Sequence, residues 1–393
     1  MLSTVLYQFL VILASAVIMG EFFRQIGFSS VAGELISGII VGPSALGLVN
    51  NPQELSPLAF VALFFIIYQL GFNAKTEKLK RYVVKGMTVT VSAFAAPFVI
   101  VLIISRSIFG FGAVEDFVLA LAVSVPSISV VSVLVRDAGI EDRESGHVIL
   151  AGIVIVDVLA FILLAALTRT ITDTLRIVLF TAIFIAAFLI LDYFISRNLA
   201  GTRKLFRGAA RVIKGEELAY ATLILTGLVV SELFQIMGLV YVLGAFFAAL
   251  IVHDEVIGVR LFEKVSKTVN SMNKAFFAPF FFGYAGSEVI LWENSYFNIF
   301  SIILLSLFVV GISIVFTYFL SGRYFGDDPN GRRSVSVIMA GKGSVGIIIA
   351  NVALDAGIIS YGANSLIILS TIVGSLAVTL LLRGHREEAA MIG

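Results

Sequence analysis

Apolar runs of about 20 residues, each bounded by charged or turn-forming residues, recur along the whole chain. A membrane-spanning helix needs about that length. The pattern predicts thirteen spans, near residues 4–24, 30–50, 55–74, 86–110, 113–135, 146–168, 174–196, 216–236, 237–253, 270–287, 296–322, 333–354 and 361–382. The alternation over ten-residue segments that marks a membrane barrel is absent, so the predicted fold class is an all-α polytopic membrane protein. The first run has Ala14-Ser15-Ala16, which resembles a cleavage site, but no Lys or Arg precedes Arg24. Without a basic leading region it reads as a retained helix, with a signal peptide as the minor alternative.

Composition agrees with this pattern. Of 393 residues, 59% are hydrophobic and 13% charged, and the mean hydropathy is +1.04, whereas a soluble domain carries roughly a quarter charged residues. A cytosolic enzyme is excluded. A formal net charge of +1 gives no global field for nucleic acid, and the absence of cysteine removes disulfides, thiolate metal sites and Cys nucleophiles. Charge position says more than charge total. Of the 27 basic residues, all but Arg106, Arg169, Arg176 and Lys342 fall on one face of the thirteen-span arrangement. The positive-inside rule then predicts an outside N-terminus and a cytoplasmic C-terminus in a cell membrane. The six basic residues from Arg197 to Lys214 suit anionic lipid on that face. The short tail after the last run predicts no cytoplasmic regulatory domain.

Within the sixth run, Val148 to Leu167, Asp157 is the one ionisable side chain. It falls at the bilayer midplane, where a charge costs at least about 2.5–3.5 kcal/mol, so an intramembrane carboxylate is a functional-site candidate by default. In low dielectric the charged form is disfavoured unless a cation compensates it, which suits a group that exchanges a proton for a cation. The competing reading is an Asp satisfied by a neighbour and merely pinning two helices, which a neutral Asn would do at lower cost.

The fifth run contains Ser124-Val125-Pro126-Ser127-Ile128-Ser129. Proline removes a donor and clashes with the preceding turn, and freed backbone groups are tolerated at membrane depth only where protein or a wet cavity satisfies them. A broken helix is predicted there, with carbonyls and the Ser127 and Ser129 hydroxyls as hard oxygen ligands for an alkali cation. An ordinary kink bridged by serines is the alternative. The twelfth run carries a matching interruption, Gly341-Lys342-Gly343-Ser344-Val345-Gly346. Paired interrupted segments in two halves point to a transporter site built from inverted repeats. Spans four to six and eleven to thirteen form two such triplets, and the odd offset of seven spans between them makes the second inverted. Lys342 either offsets negative charge at half-helix ends or snorkels to an interface. The glycine string lacks the strand context of a phosphate loop.

Other polar positions are less specific. Glu232, with Gln235, closes span eight and either reaches headgroups or lines a cation-attracting funnel; Glu34 lies in span two, and Gln69 and Asn73 suit interhelical hydrogen bonds. His147 and His253 flank cytoplasmic ends. No cluster has metal-ligand spacing and no nucleophile–base arrangement is present, so neither an enzyme nor a cofactor is indicated.

Six stretches in order resemble the monovalent cation/proton antiporter-2 family, which includes NapA-type sodium/proton antiporters and, more distantly, Kef-type potassium efflux proteins. They are GELISGIIVGPSALGLV at 33–49, SVPSISVVSVLVRDAGI at 124–140, AGIVIVDVLAFILLA at 151–165, VYVLGAFFAALIV at 240–252, FFAPFFFGYAG at 276–286 and MAGKGSVGIIIANVALDAGII at 339–359. The resemblance implies a NapA-like fold and a homodimer. It assigns residues 1–81 and 201–290 to a dimerisation domain, 82–170 and 291–393 to a mobile core, and 171–200 to a linker helix. It further implies an elevator-like step, Asp157 as the essential carboxylate binding proton and Na⁺ in turn, and Ser127 at the cation-ligating crossover.

Two departures qualify what the resemblance implies. Electrogenic members carry a second Asp just before the essential one and a Lys in the eleventh span; here the first position is Val156, and Ile312 to Gly322 offers Thr317 but no Lys. One proton against one cation, with no net charge moved, is therefore expected. Lys342 stands where relatives often have Arg, and Ser344 where some have Glu. The expected function is electroneutral exchange of Na⁺ or Li⁺ for H⁺, with a K⁺/H⁺ exchanger or Kef-like efflux protein as the alternative.

Overall fold

The structure, a computed structural model, describes residues 2–73, 76–127, 130–131, 134–135, 138, 140, 144–167, 216–236, 241–251, 259–290, 299–325 and 329–392. These form fourteen α-helices and no β-strand: α1 (Leu2–Gln25), α2 (Ser30–Val41), α3 (Ser56–Asn73), α4 (Thr76–Phe109), α5 (Ala113–Ser124), α6 (Glu144–Leu167), α7 (Glu216–Ile236), α8 (Tyr241–Ile251), α9 (Val259–Met272), α10 (Ala278–Ser287), α11 (Ile299–Phe325), α12 (Pro329–Met339), α13 (Ser344–Asp355) and α14 (Tyr361–Ile392). Five single helices among the described residues contain a stretch long and apolar enough to cross a membrane, namely Thr4–Gln25, Val84–Phe109, Glu144–Leu164, Phe300–Ser321 and Tyr361–Leu382. The expected seventh span (174–196) and linker (171–200) lie outside the described residues, as does Ser129.

Three boundaries differ from the hydropathy pattern. The second span, expected to reach residue 50, is helical only to Val41. Pro43 disfavours helical backbone at the residue before it, and Gly42 is extended. The chain then folds back, with Val49 N donating to Val41 O at 3.0 Å. In the other direction, α4 starts at Thr76, ten residues before the expected 86, because Glu77-Lys78-Leu79-Lys80-Arg81 are good helix formers that hydropathy ignores. Span ten, expected from residue 270, is preceded by the amphipathic α9, which buries Phe262, Val265 and Val269 at the helical spacing of one apolar face. A single π-helical turn, Asn273–Phe277, joins α9 to α10.

The chain divides into two compact units. Unit 1 comprises Met1–Ala59, Glu77–Ala160 and Pro279–Gly393. Glycines let its backbones touch. A Cβ on Gly38 would strike the Gly283 carbonyl, and one on Gly286 the Leu35 backbone, so α2 and α10 pack main chain to main chain. Gly86 of α4 and Gly152 of α6 meet in the same way. Close approach through small residues is how helices associate where lipid removes the hydrophobic driving force.

Unit 2 comprises Phe60–Thr76 and Phe161–Ala278. There the C-terminal part of α3 packs by aromatic contacts, Phe65 stacking on Phe277 at 4.4 Å and Phe60 on Tyr241 at 3.8 Å between ring centroids. Side-chain hydrogen bonds add to this packing: Tyr68 donates to Leu223 O at 2.7 Å, and Asn273 in the π turn donates to Phe65 O at 2.7 Å and to Gln69.

Candidate ion-binding site

The site begins with a proline. Val125 N makes the last helical bond of α5, to Leu121 O at 3.2 Å; Pro126 has no N–H for the Ala122 carbonyl one turn back, and the helix stops at Ser124. Helical bonding resumes with Val131 N donating to Ser127 O at 2.9 Å. The Ala122 carbonyl lies against Gly346, where any Cβ would collide with it. One glycine of the second interruption is therefore seated on the carbonyl that the proline of the first leaves without a helical donor.

The second interruption mirrors the first. α12 ends at Met339, Gly341 N turns back to Ile338 O at 3.0 Å, and α13 starts at Ser344 with Gly343 as its N-cap. The two extended segments cross as an isolated antiparallel bridge between Pro126 and Lys342, and Ser127 N donates to Gly341 O at 2.9 Å. At the crossing, the Ser127 and Ser344 hydroxyls hydrogen-bond at 2.9 Å, both residues buried.

Carbonyl ends of two half-helices point into this crossing, and each carries partial negative charge. Lys342 answers one of them. It is 2% exposed, and its Nζ donates to the carbonyl of Ser124, the last residue of α5, at 2.6 Å. Its charge is thus spent on a helix end and reaches no interface. At the opposite end of α5, the Glu115 carboxylate accepts from Ser360 N at 2.8 Å, which ties α5 to the start of α14.

Asp157 lies on α6 and is 4% exposed, and its Oδ1 has no hydrogen-bond partner among the described residues. Ile149 and Ile153, on the preceding two turns of the same face, pack in one apolar cluster with Val130, Val131, Ile338 and Ala340 from the two interruptions. Asp157 follows Ile153 by one turn of α6, so it lies on the helix face that packs against both interruptions. Thr317 of α11 is fully buried with an unpartnered hydroxyl, and Ile314, three residues earlier, packs on the same cluster.

Pro126, Ser127, Gly343, Lys342 and Ser344 therefore come together at the crossing, while Asp157 and Thr317 each lie one turn beyond a residue of the shared cluster. Glu232 is exposed on α7 and belongs to unit 2. The carbonyls expected at the break include that of Ser124, which Lys342 takes up in the role of offsetting a half-helix end. Two groups were missed by reading the sequence. Thr90 of α4, fully buried with an unpartnered hydroxyl, lies against Gly152 of α6; its signal was a Thr inside an apolar run. Ser313, one turn before Thr317, donates to Ala93 O at 3.0 Å and joins α11 to α4. The donors gathered here are carboxylate, hydroxyl and carbonyl oxygens, the hard set that suits an alkali cation over a transition metal.

Residues 10–384 match the family described as sodium/hydrogen exchanger, transmembrane. The chain belongs to that family. It is 24% identical over 390 residues to the Na(+)/H(+)-K(+) antiporter GerN of Bacillus cereus, an alignment covering 98% of this chain and 97% of the relative. It is 22% identical over 380 residues to the Na(+)/H(+) antiporter of Enterococcus hirae, covering 95% of each. Among solved structures, the sodium proton antiporter MjNhaP1 of Methanocaldococcus jannaschii is similar with a TM-score of 0.61 over 97% of this chain and 95% of that one, at 16% identity, a likeness of fold. The family identity makes this an ion-transporting membrane protein of the antiporter class.

Proposed function

We propose that the protein exchanges Na⁺ (or Li⁺) for H⁺ one for one, with Asp157 holding cation and proton alternately. The observation that carries this reading is the buried, unpartnered Asp157 oxygen on the helix face whose preceding turns pack against both interruptions. With a cation bound, the carboxylate is compensated by that cation's charge; with the cation gone, a proton neutralises it instead. One carboxylate holds one or the other, which is the condition for antiport. Val156 supplies no second acid, and Lys342 is engaged by the end of α5, so one positive charge moves each way per cycle. Ser127 and Ser344 would add hydroxyl ligands, with Ser129 and Thr317 as further candidates.

The wider reading is a homodimer in the cell membrane, N-terminus outside and C-terminus cytoplasmic. Residues 82–170 and 291–393 would form the moving core, 1–81 and 201–290 the dimerisation scaffold, and 171–200 the linker. A K⁺/H⁺ exchanger is the second reading; it is favoured by the likeness to GerN, a Na(+)/H(+)-K(+) antiporter. In proteoliposomes, an inward Na⁺ gradient should make the lumen alkaline, and Asp157→Asn should abolish the change. Wild-type-like exchange by that variant would overturn the assignment, and a larger response to K⁺ than to Na⁺ would select the second reading.

A further inference from the structure

Behind Lys342, inside unit 1, lies a small cavity that the transport site leaves unexplained. Lys342, Gly374 and three hydroxyl residues, Ser306 of α11 with Ser370 and Thr371 of α14, line it together with two valines. About 10 Å³ is open to the centre of a water-sized molecule, close to the smallest space that accommodates one water. The Ser370 and Thr371 hydroxyls are 4% and 3% exposed and have no hydrogen-bond partner among the described residues. Ser306 donates to Ile302 O at 2.6 Å, which leaves its oxygen free to accept. Gly374 carries no side chain, and a Cβ there would stand 4.0 Å from Lys342 Cγ, so the lysine stem runs past α14 at this point.

The donors and acceptors do not balance without a further group. A lysine amine carries at least two N–H donors whether or not it is charged, and the Ser124 carbonyl takes one of them. Buried polar groups in folded proteins are satisfied by protein or by ordered water, and a buried water needs two to four polar partners. We propose that this cavity is a binding site for one structural water, which accepts from Lys342 and bridges to Ser370 and Thr371. The water fastens the second broken helix to α14. A hydrated cation is too large for the space, and a bare one would meet N–H donors of Lys342 where it needs acceptors, so the ligand is water and its occupancy does not depend on the transported ion.

The link to transport rests on the exchange reading above, but the site itself is read without any transport assay. In an experimental structure of the full chain resolved well enough to show ordered waters, a density peak should lie within hydrogen-bond distance of the Ser370 and Thr371 hydroxyls and of Lys342 Nζ, in Na⁺ and in K⁺ alike. An empty cavity, or a peak that follows the ion supplied, overturns the proposal, and neither result bears on whether Asp157 exchanges ions. Ser370→Ala with Thr371→Val should remove the peak and lower turnover roughly fivefold, the scale of one lost hydrogen bond, with the KM for Na⁺ within about twofold of wild type. Thr371→Ser, which keeps the hydroxyl, should retain both peak and rate. A double variant with wild-type turnover overturns the anchoring role.

Discussion

Gly346 and Gly311 show how differently two glycines can behave. A Cβ on Gly346 would collide with the Ala122 carbonyl, whereas nothing stands within 4 Å of one on Gly311. Gly346→Ala forces apart two half-helices of the crossing and should cost about 1–3 kcal/mol, with exchange lost alongside. Gly311→Ala removes only the flexibility of a mid-helix glycine and should be neutral or stabilising by up to about 1 kcal/mol. Thermal unfolding of the two purified variants checks the contrast, and equal effects would contradict the packing described. Side chains that mattered were legible when their environment made them anomalous: Asp157 stands out because 19 apolar or small neighbours surround it. Thr90 acts through a contact with Gly152. It does not stand out in a linear reading, because its role exists only once distant helices are packed together.

Breaks in helices were easier to read than their ends. Pro126 and the Gly341–Gly346 string mark interruptions because each removes a specific backbone bond or side chain, and α5 and α12 stop within two residues of them. Hydropathy misplaced the end of α2 and the start of α4 because a helix stops for local steric reasons and continues through polar residues for propensity reasons, neither of which is apolarity. The π turn at Asn273–Phe277 had no signal at all, since Asn273 takes its role only from Phe65 and Gln69 of α3. If the break in α5 is the functional element, restoring its missing donor should be harmful. Pro126→Ala returns an N–H that can bond Ala122 O and favours continuous helix. It should leave a folded protein with exchange reduced at least tenfold, which vesicle assays beside a size-exclusion profile would reveal. A Pro126→Ala protein with full activity would mean that the interruption is dispensable.

For the whole molecule, the informative regularity was the pairing of two interrupted spans in inverted triplets, which singled out the two segments that the structure joins at Pro126 and Lys342. What the pairing did not specify was how the crossing is held. Charge balance over a complete cycle is also a property of the whole molecule. Net movement of one charge would couple exchange to voltage by about 2.3 kcal/mol per 100 mV, roughly fiftyfold in the equilibrium ion ratio. One-for-one exchange should show none, so clamping vesicles at 0 and 100 mV with valinomycin and K⁺ should leave the final Na⁺ distribution unchanged; a shift approaching fiftyfold would require a second transported proton.

The bond from Ser127 N to Gly341 O bears on how the protein breathes. Irregular backbone normally loses its amide protons to solvent first, because local opening costs little there. Here the donor belongs to a fully buried residue and its acceptor lies on a second interrupted chain, so solvent reaches it only if both interruptions come apart together. Ser127 should then exchange deuterium as slowly as the helical amides around it, and the least regular stretch of the membrane interior would be among its slowest clocks.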